Sequence, residues 1–289
     1  MNNTNWGDFK CRCSSICKAV AKSRSNPVLS EKQIVRMEEL EKRDKLTDSM
    51  IAELAELHVK KENGKKIILS DSYIEYLMEY YAWETSGKKS VDRETMYIQF
   101  VEKGKEVENE SILLLNYVEG LNYQKNGQRV CNDFLSGEPD VFVGEEIMKA
   151  TKISDLKSCW DYPGFLKKIN QSIESKYELQ IRGYMDITGA TEGEIAYTLV
   201  NTPMRLAKDI HDALLRRMNV ISEESPEFIK EWEIIERSMF FDDIPKSKRV
   251  WKQSIDPFSD FDRNYLYDRV KVARDWLYTF DEKYQKLNK

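Results

Sequence analysis

Between Gly104 and Asn201 the hydrophobic period of the chain switches back and forth between about 3.6 and about 2, and this succession limits the folds open to it. Glu108, Ile112 and Leu115 recur at i, i+4 and i+7, one face of a helix. Leu121–Gln124 and Gln128–Cys131 then flank Lys125-Asn126-Gly127. Asn-Gly tolerates the positive φ of a type I′ turn, which predicts a β-hairpin. Further strands are predicted near 138–143 and 147–157, then a helix from about Ser172 to Thr188, a strand over Ile195–Asn201 and a helix from Pro203 to Met218. Helix, strands, helix, strand in this order predict an α/β core with a mixed β-sheet flanked by helices.

The flanks read differently. Met1 to about Ser30 is polar and carries Cys11-Arg-Cys-Ser-Ser-Ile-Cys17. Ser30 and Gln33 have capping-box spacing ahead of Ile34, Met37 and Leu40. Thr47-Asp-Ser opens a second helix, broken at Asn63-Gly64, and Ser70-Asp-Ser opens a third. From Ser225 the pattern is helical, with one strand over Arg249–Ser254. The expected organisation is a helical N-terminal region (1–100), an α/β core (101–222) and a mainly helical C-terminal extension of the same domain (223–289).

Charge and composition remove several classes of function. Lys and Arg number 45 against 50 Asp and Glu, a net charge of −5, which argues against a non-specific nucleic-acid coat but not against a local grip. No apolar run approaches the roughly 18–20 residues of a membrane span. Met1 to Lys10 lacks the basic-then-apolar design of a secretion signal, so a cytoplasmic location is expected. The cysteines Cys11, Cys13, Cys17, Cys131 and Cys159 are expected to be reduced thiols rather than ligands of a cluster. His58 and His211 lie far apart and are read as structural, so chemistry falls to carboxylates and lysines.

Those residue types concentrate in one place. Asp155-Leu156-Lys157 lies on a predicted strand, where alternation puts Asp155 and Lys157 on one face and Leu156 on the other. Asp140, in Pro139-Asp140, lies on the strand before it. Two carboxylates and a lysine make a compact site for a divalent cation and a phosphate, with the Leu156 carbonyl as a further oxygen donor. Glu108 is a candidate third carboxylate, with Glu110 as the alternative. Gln180 and Tyr184 share a helix face at i and i+4, with Tyr177 at i−3. The plainer readings are a surface ion pair for Asp155 and Lys157, a solvated helix face for Glu108, and helix packing for Gln180 and Tyr184. The Lys60, Lys61, Lys65, Lys66 cluster is read as a solvated face with DNA contact as the alternative, and the aromatic run Tyr265 to Phe280 as helix packing.

Taken in order, Gly104-Lys-Glu-Val-Glu108-Asn-Glu-Ser111, Gly137-Glu-Pro139-Asp140, Asp155-Leu-Lys157-Ser158 and Gln180-Ile-Arg-Gly-Tyr184 resemble the PD-(D/E)xK nuclease superfamily. The branch resembled is the one with a Q-x-x-x-Y motif, which includes phage lambda exonuclease, YqaJ-type viral recombinases and the RecB nuclease domain. The resemblance implies a restriction-endonuclease-like core and metal-dependent hydrolysis of DNA. It implies that Glu108, Asp140 and Asp155 ligate Mg²⁺ or Mn²⁺, that Lys157 acts on the attacking water and the phosphate, and that Gln180 and Tyr184 complete the pocket. Cys11 to Ile16 loosely resembles the family's early Arg and Ser cluster, which implies that Arg12 and Ser14 hold a DNA end. The family also implies a 5′→3′ exonuclease on double-stranded ends, a single-strand annealing partner in a bacterial host, and a trimeric ring. An endonuclease on the same core and a non-catalytic DNA-end-binding scaffold are the other readings.

Overall fold

A computed structural model describes residues 4–21, 31–43, 45–64, 67–88, 99–219 and 222–287. In chain order its elements begin with β1 (Cys11–Arg12), α1 (Ile16–Val20), α2 (Glu31–Glu41), α3 (Asp48–Gly64), α4 (Asp71–Ser86), α5 (Gln99–Glu106) and α6 (Glu108–Glu119). Strands β2 (Tyr123–Lys125), β3 (Val130–Cys131), β4 (Leu135–Gly137), β5 (Val141–Val143) and β6 (Lys152–Ser158) follow. Then come α7 (Tyr162–Ile169), α8 (Ser175–Thr188), β7 (Glu192–Thr198), α9 (Met204–Met218), α10 (Pro226–Arg237), β8 (Val250–Ile255) and α11 (Asp260–Lys286). No described helix is long and apolar enough to cross a membrane.

The chain folds as two compact units, Met1–Cys11 with Cys17–Lys89 and Asp260–Lys289, and Arg12–Ile16 with Ser90–Ser259. The segment 223–289, read as one C-terminal extension, divides between them. The first unit is helical. Met37 and Leu40 of α2 pack on Leu57 of α3, and the Ser70 hydroxyl accepts from the Tyr73 N–H to open α4. Arg269 of α11, almost wholly buried, donates to the carbonyls of Ala19, Ala21 and Ile68. Trp6 stacks on Tyr81 with ring centroids 5.0 Å apart, and both donate to the Asp281 carboxylate. The late aromatics serve packing here, as Phe280 does against Tyr81 and Trp276. Ser30, Lys65 and Lys66 lie outside the described residues.

The second unit is the α/β core. Its five-stranded sheet runs β2-β5-β6-β7-β8, with β6 and β7 parallel and the other neighbours antiparallel. A smaller sheet runs β1-β4-β3. Helix α6 covers one face of the main sheet, where Ile112 and Leu115 meet Tyr123, Val141, Ala196 and Leu156. Helices α7 and α8 cover the other, where Phe165, Ile181 and Met185 meet Ile195, Tyr197 and Leu199. The two-residue period of β6 follows: Leu156 faces α6, while Asp155 and Lys157 face α8.

Two expectations are corrected. Strands β2 and β3 do not form a hairpin; Lys125 pairs with Val141 and Val130 pairs with Gly137. Gly127 is not among the residues at positive φ. Asn126 is 7% exposed, and its amide is spent on Gln128 and on the distant Pro139 carbonyl. The strand expected near 147–157 begins only at Lys152, after a single 3-10 turn at Ile147–Lys149, and α7 was not foreseen.

Glycine sets how closely α8 lies on the sheet. A Cβ on Gly193 would stand 2.3 Å from Met185 Sδ and 2.9 Å from Ile181 Cγ2. Gly193→Ala is therefore expected to destabilise the protein by about 1–3 kcal/mol through overpacking, measured by urea unfolding. Stability equal to that of the parent would show that α8 yields freely.

Candidate active site

Strand β5 ends its ladder early. It pairs with Lys152, Ile153 and Ser154 of β6, so, among the described residues, 155–158 have β7 on one side and no partner strand on the other. The Pro139-Asp140 turn fills that gap. Asp140 Oδ2 accepts from the Leu156 N–H at 3.0 Å, as a strand carbonyl would have done. The N–H and C=O of one strand residue point to the same side, so the Leu156 carbonyl also opens toward Asp140. Asn126 secures this turn: its N–H donates to the Asp140 carbonyl and its side chain donates to the Pro139 carbonyl, both at 2.9 Å.

Asp155 is 1% exposed, with Lys157 Nζ 2.7 Å from its Oδ2. The same ammonium lies 4.0 Å from Asp140 Oδ2. On α8, Gln180 Nε2 donates to Asp155 Oδ1 at 3.3 Å and to the Tyr184 hydroxyl at 2.8 Å. Thus Asp140, Asp155, Lys157, Gln180 and Tyr184 come together. The Tyr184 ring lies where a Cβ on Gly137 would meet it at 2.6 Å, and Cys13 Sγ closes the same point at 2.9 Å. Cys13 and Ile16 pack on Gly183 of α8, while the alternate residues Arg12 and Ser14 are exposed on this segment.

Glu108 is placed differently. It opens α6, on the opposite face of the sheet, and its Oε2 is 2.6 Å from Lys125 Nζ on β2. One turn on, Ser111 Oγ bonds Ser158 Oγ at 2.8 Å and accepts from Thr198 at 2.9 Å, tying α6 to the ends of β6 and β7. Glu110 lines a separate cavity of about 620 Å³ with Glu106 and Tyr117. Among the described residues, no three carboxylate, histidine or cysteine side chains converge as a metal-ligand set. His58 pairs with Glu41, His211 packs edge-on to Phe228 and Trp232, and none of the five cysteines, all among the described residues, is in a disulfide.

The electrostatics follow from burial. Asp140 is pushed up to about 7, first by burial and then by the Asp155 charge. Burial works against the charge on Lys157, but the Asp155 and Asp140 carboxylates outweigh it and raise its pKa. Burial, then Asp155, also raises the Tyr184 phenol, so it stays a proton donor. The two carboxylates and the Leu156 carbonyl form an all-oxygen donor set facing excess negative charge, which suits a hard divalent cation.

No family model and no curated protein sequence matches the chain. Among solved structures, a phage-related exonuclease from Haemophilus somnus 129PT is similar with a TM-score of 0.58 at 20% identity, over 96% of each chain. An alkaline exonuclease from Laribacter hongkongensis gives 0.52 at 10% identity, over 98% of this chain and 94% of that one. The mixed α/β fold is therefore that of these exonucleases.

Sequence reasoning missed Asn126, because an Asn-Gly pair signals a local turn while the bonds that matter here are non-local. Asn126→Ala leaves the Pro139 carbonyl unmatched and is expected to cost about 1–3 kcal/mol in urea unfolding. A cost near zero would show that the turn holds itself.

Asp140 gives a pH dependence. Its folded pKa lies above the ordinary 3.8, so the stability it contributes is complete below about pH 4 and is lost as pH rises through about 7. In metal-free protein, Asp140→Asn is expected to flatten that fall in the unfolding midpoint. An identical slope in parent and variant would remove Asp140 as its source.

Proposed function

We propose that this chain is a metal-dependent deoxyribonuclease, acting as a 5′→3′ exonuclease on double-stranded DNA ends. The observation that carries the reading is the meeting of Asp140, Asp155, Lys157 and Gln180 at the half-open edge of β6. The fold shared with two exonucleases supports it. Asp140, Asp155 and the Leu156 carbonyl would hold Mg²⁺, with Mn²⁺ as a substitute, which when bound would supply Lewis-acid stabilisation and a more acidic water. Lys157, held charged by Asp155, offers positive charge to the phosphoryl oxygens. Gln180 fixes one Asp155 oxygen and the Tyr184 hydroxyl together, so the wall of the pocket is oriented before substrate arrives.

Glu108 is the third carboxylate by the family resemblance, and its ion pair with Lys125 is the contact that this role must exchange. Arg12 and Ser14, exposed on the segment packed against α8, are the proposed contacts to the DNA end. Membership of the Q-x-x-x-Y branch, a cytoplasmic location, a trimeric ring and delivery of a single strand to an annealing protein belong to the same proposal.

The test is purified protein with Mg²⁺ on linear duplex DNA, 5′-phosphorylated at one end, beside a covalently closed circle. Loss of the linear substrate alone, blocked by EDTA, is the expected result, with the labelled strand reporting polarity. Asp155→Ala and Lys157→Ala are each expected to lower the rate roughly 100-fold or more with folding intact. Cutting of both substrates would make the protein an endonuclease. Cutting of neither, with Mg²⁺ or Mn²⁺, would leave an end-binding scaffold.

A further inference from the structure

A basic and aromatic strip continues from the site along α7 and α8. Lys157 Nζ lies 5.4 Å from the centroid of the Tyr177 ring and Lys176 Nζ lies 4.6 Å from the same centroid, so the two ammonium groups are within about 10 Å of each other. Lys168, near the end of α7, stands 5.7 Å from the ring centroid of Tyr197, the register partner of Lys157 on β7. Lys168 and Lys176 share one carboxylate: Glu174 Oε1 is 3.5 Å from Lys168 Nζ, and its Oε2 is 2.9 Å from Lys176 Nζ. Glu174 and Lys176 are each about half exposed.

Several features make this more than a solvated ion pair. Glu174 is the N-cap residue of α8, yet its side chain caps no helix N–H, so its charge is spent on the two lysines and not on the helix. The carboxylate stands between two ammonium groups, neither of which has a second carboxylate within ion-pair distance among the described residues, and one of the two shares a tyrosine ring with Lys157. A phosphate carries the same charge with more acceptor oxygens and suits the same pair of donors. Basic groups interleaved with aromatic rings beside a phosphate-handling lysine are the chemistry by which proteins track a nucleic-acid strand.

We infer that the gap between Lys168 and Lys176, bridged by Glu174 in the free protein, seats a backbone phosphate of the DNA strand that adjoins the bond to be cut. Glu174 is then an internal stand-in that the strand displaces, and Tyr177 is the aromatic flank joining this seat to Lys157. The inference rests on the nuclease reading of the neighbouring site and names how that site holds its strand.

The experiment is equilibrium binding of a fluorescein-labelled oligothymidine by anisotropy, in EDTA so that nothing is cleaved, over a series of salt concentrations. Lys176→Ala is expected to weaken binding and to reduce the slope of log K against log salt by about 0.7, the value of one single-strand phosphate contact. Glu174→Gln, nearly isosteric, is expected to tighten binding severalfold, because the competing anion is gone. Lys149→Ala, which removes an exposed lysine paired with Glu146, is expected to leave the slope unchanged. Thermal melts of all three variants report folding. A slope unchanged in Lys176→Ala, or binding unchanged or weakened in Glu174→Gln, would make the bridge an internal ion pair and overturn the inference while the nuclease reading stands. Wild-type protein that binds no oligonucleotide at any salt would overturn the inference, while the nuclease reading is decided separately by the cleavage assay on linear duplex.

Discussion

A carboxylate as buried as that of Asp155 is costly without a counter-charge, and Lys157, two residues along the same strand face, supplies it. Much of the site is arranged around this pair. The ladder between β5 and β6 stops at Ser154, so the backbone of Leu156 is free of a strand partner on that side. Asp140 takes the Leu156 N–H in place of a carbonyl, which brings a second carboxylate to the same lysine. A complete ladder would have satisfied the backbone and left no room for Asp140. The missing strand pairing and the excess of negative charge are two sides of one feature.

The parts of this arrangement legible in the sequence were those set by local periodicity. Alternation along a strand placed Asp155 and Lys157 on one face, and i, i+4 spacing placed Gln180 under Tyr184; both relations hold in the fold. What local spacing did not reveal was non-local. Asn126-Gly127 has the composition of a tight turn, but Asn126 satisfies the Pro139 carbonyl thirteen residues away, and that bond overrides the local preference. Glu108 falls on a helix face as expected, yet which face of the sheet α6 covers is decided by Ile112 and Leu115, and no spacing within the helix reveals it. The pairing of Glu108 with Lys125 belongs to the same class of fact.

Packing and site geometry are coupled through α8. Its inner face, Ile181 and Met185, fills the core against β7, and Gly193 permits the close approach. The same helix presents Gln180 and Tyr184 to Asp155, so their positions are held by the core rather than by flexible loops. Gly183 and Gly137 let Cys13 and the Tyr184 ring meet without a Cβ between them. The segment Cys13–Ile16 is thereby anchored by its buried residues, which leaves the alternate residues Arg12 and Ser14 outward. Of the early cysteines, Cys13 is a packing device here, buried against Gly137 and Gly183.

The net charge of −5 is compatible with gripping a polyanion because the basic groups around the site are placed locally. At physiological ionic strength, charges more than about 8 Å apart through solvent are largely screened, so distant carboxylates weigh little against lysines in direct contact with a phosphate. Each of those lysines is nonetheless paired in the free protein: Lys157 with Asp155, Lys125 with Glu108, and Lys168 and Lys176 with Glu174. An arriving anion therefore exchanges with a carboxylate instead of meeting a bare cation. Exchange keeps the resting surface neutral toward non-specific polyanions, and it confines tight binding to a ligand that can replace several carboxylates at once.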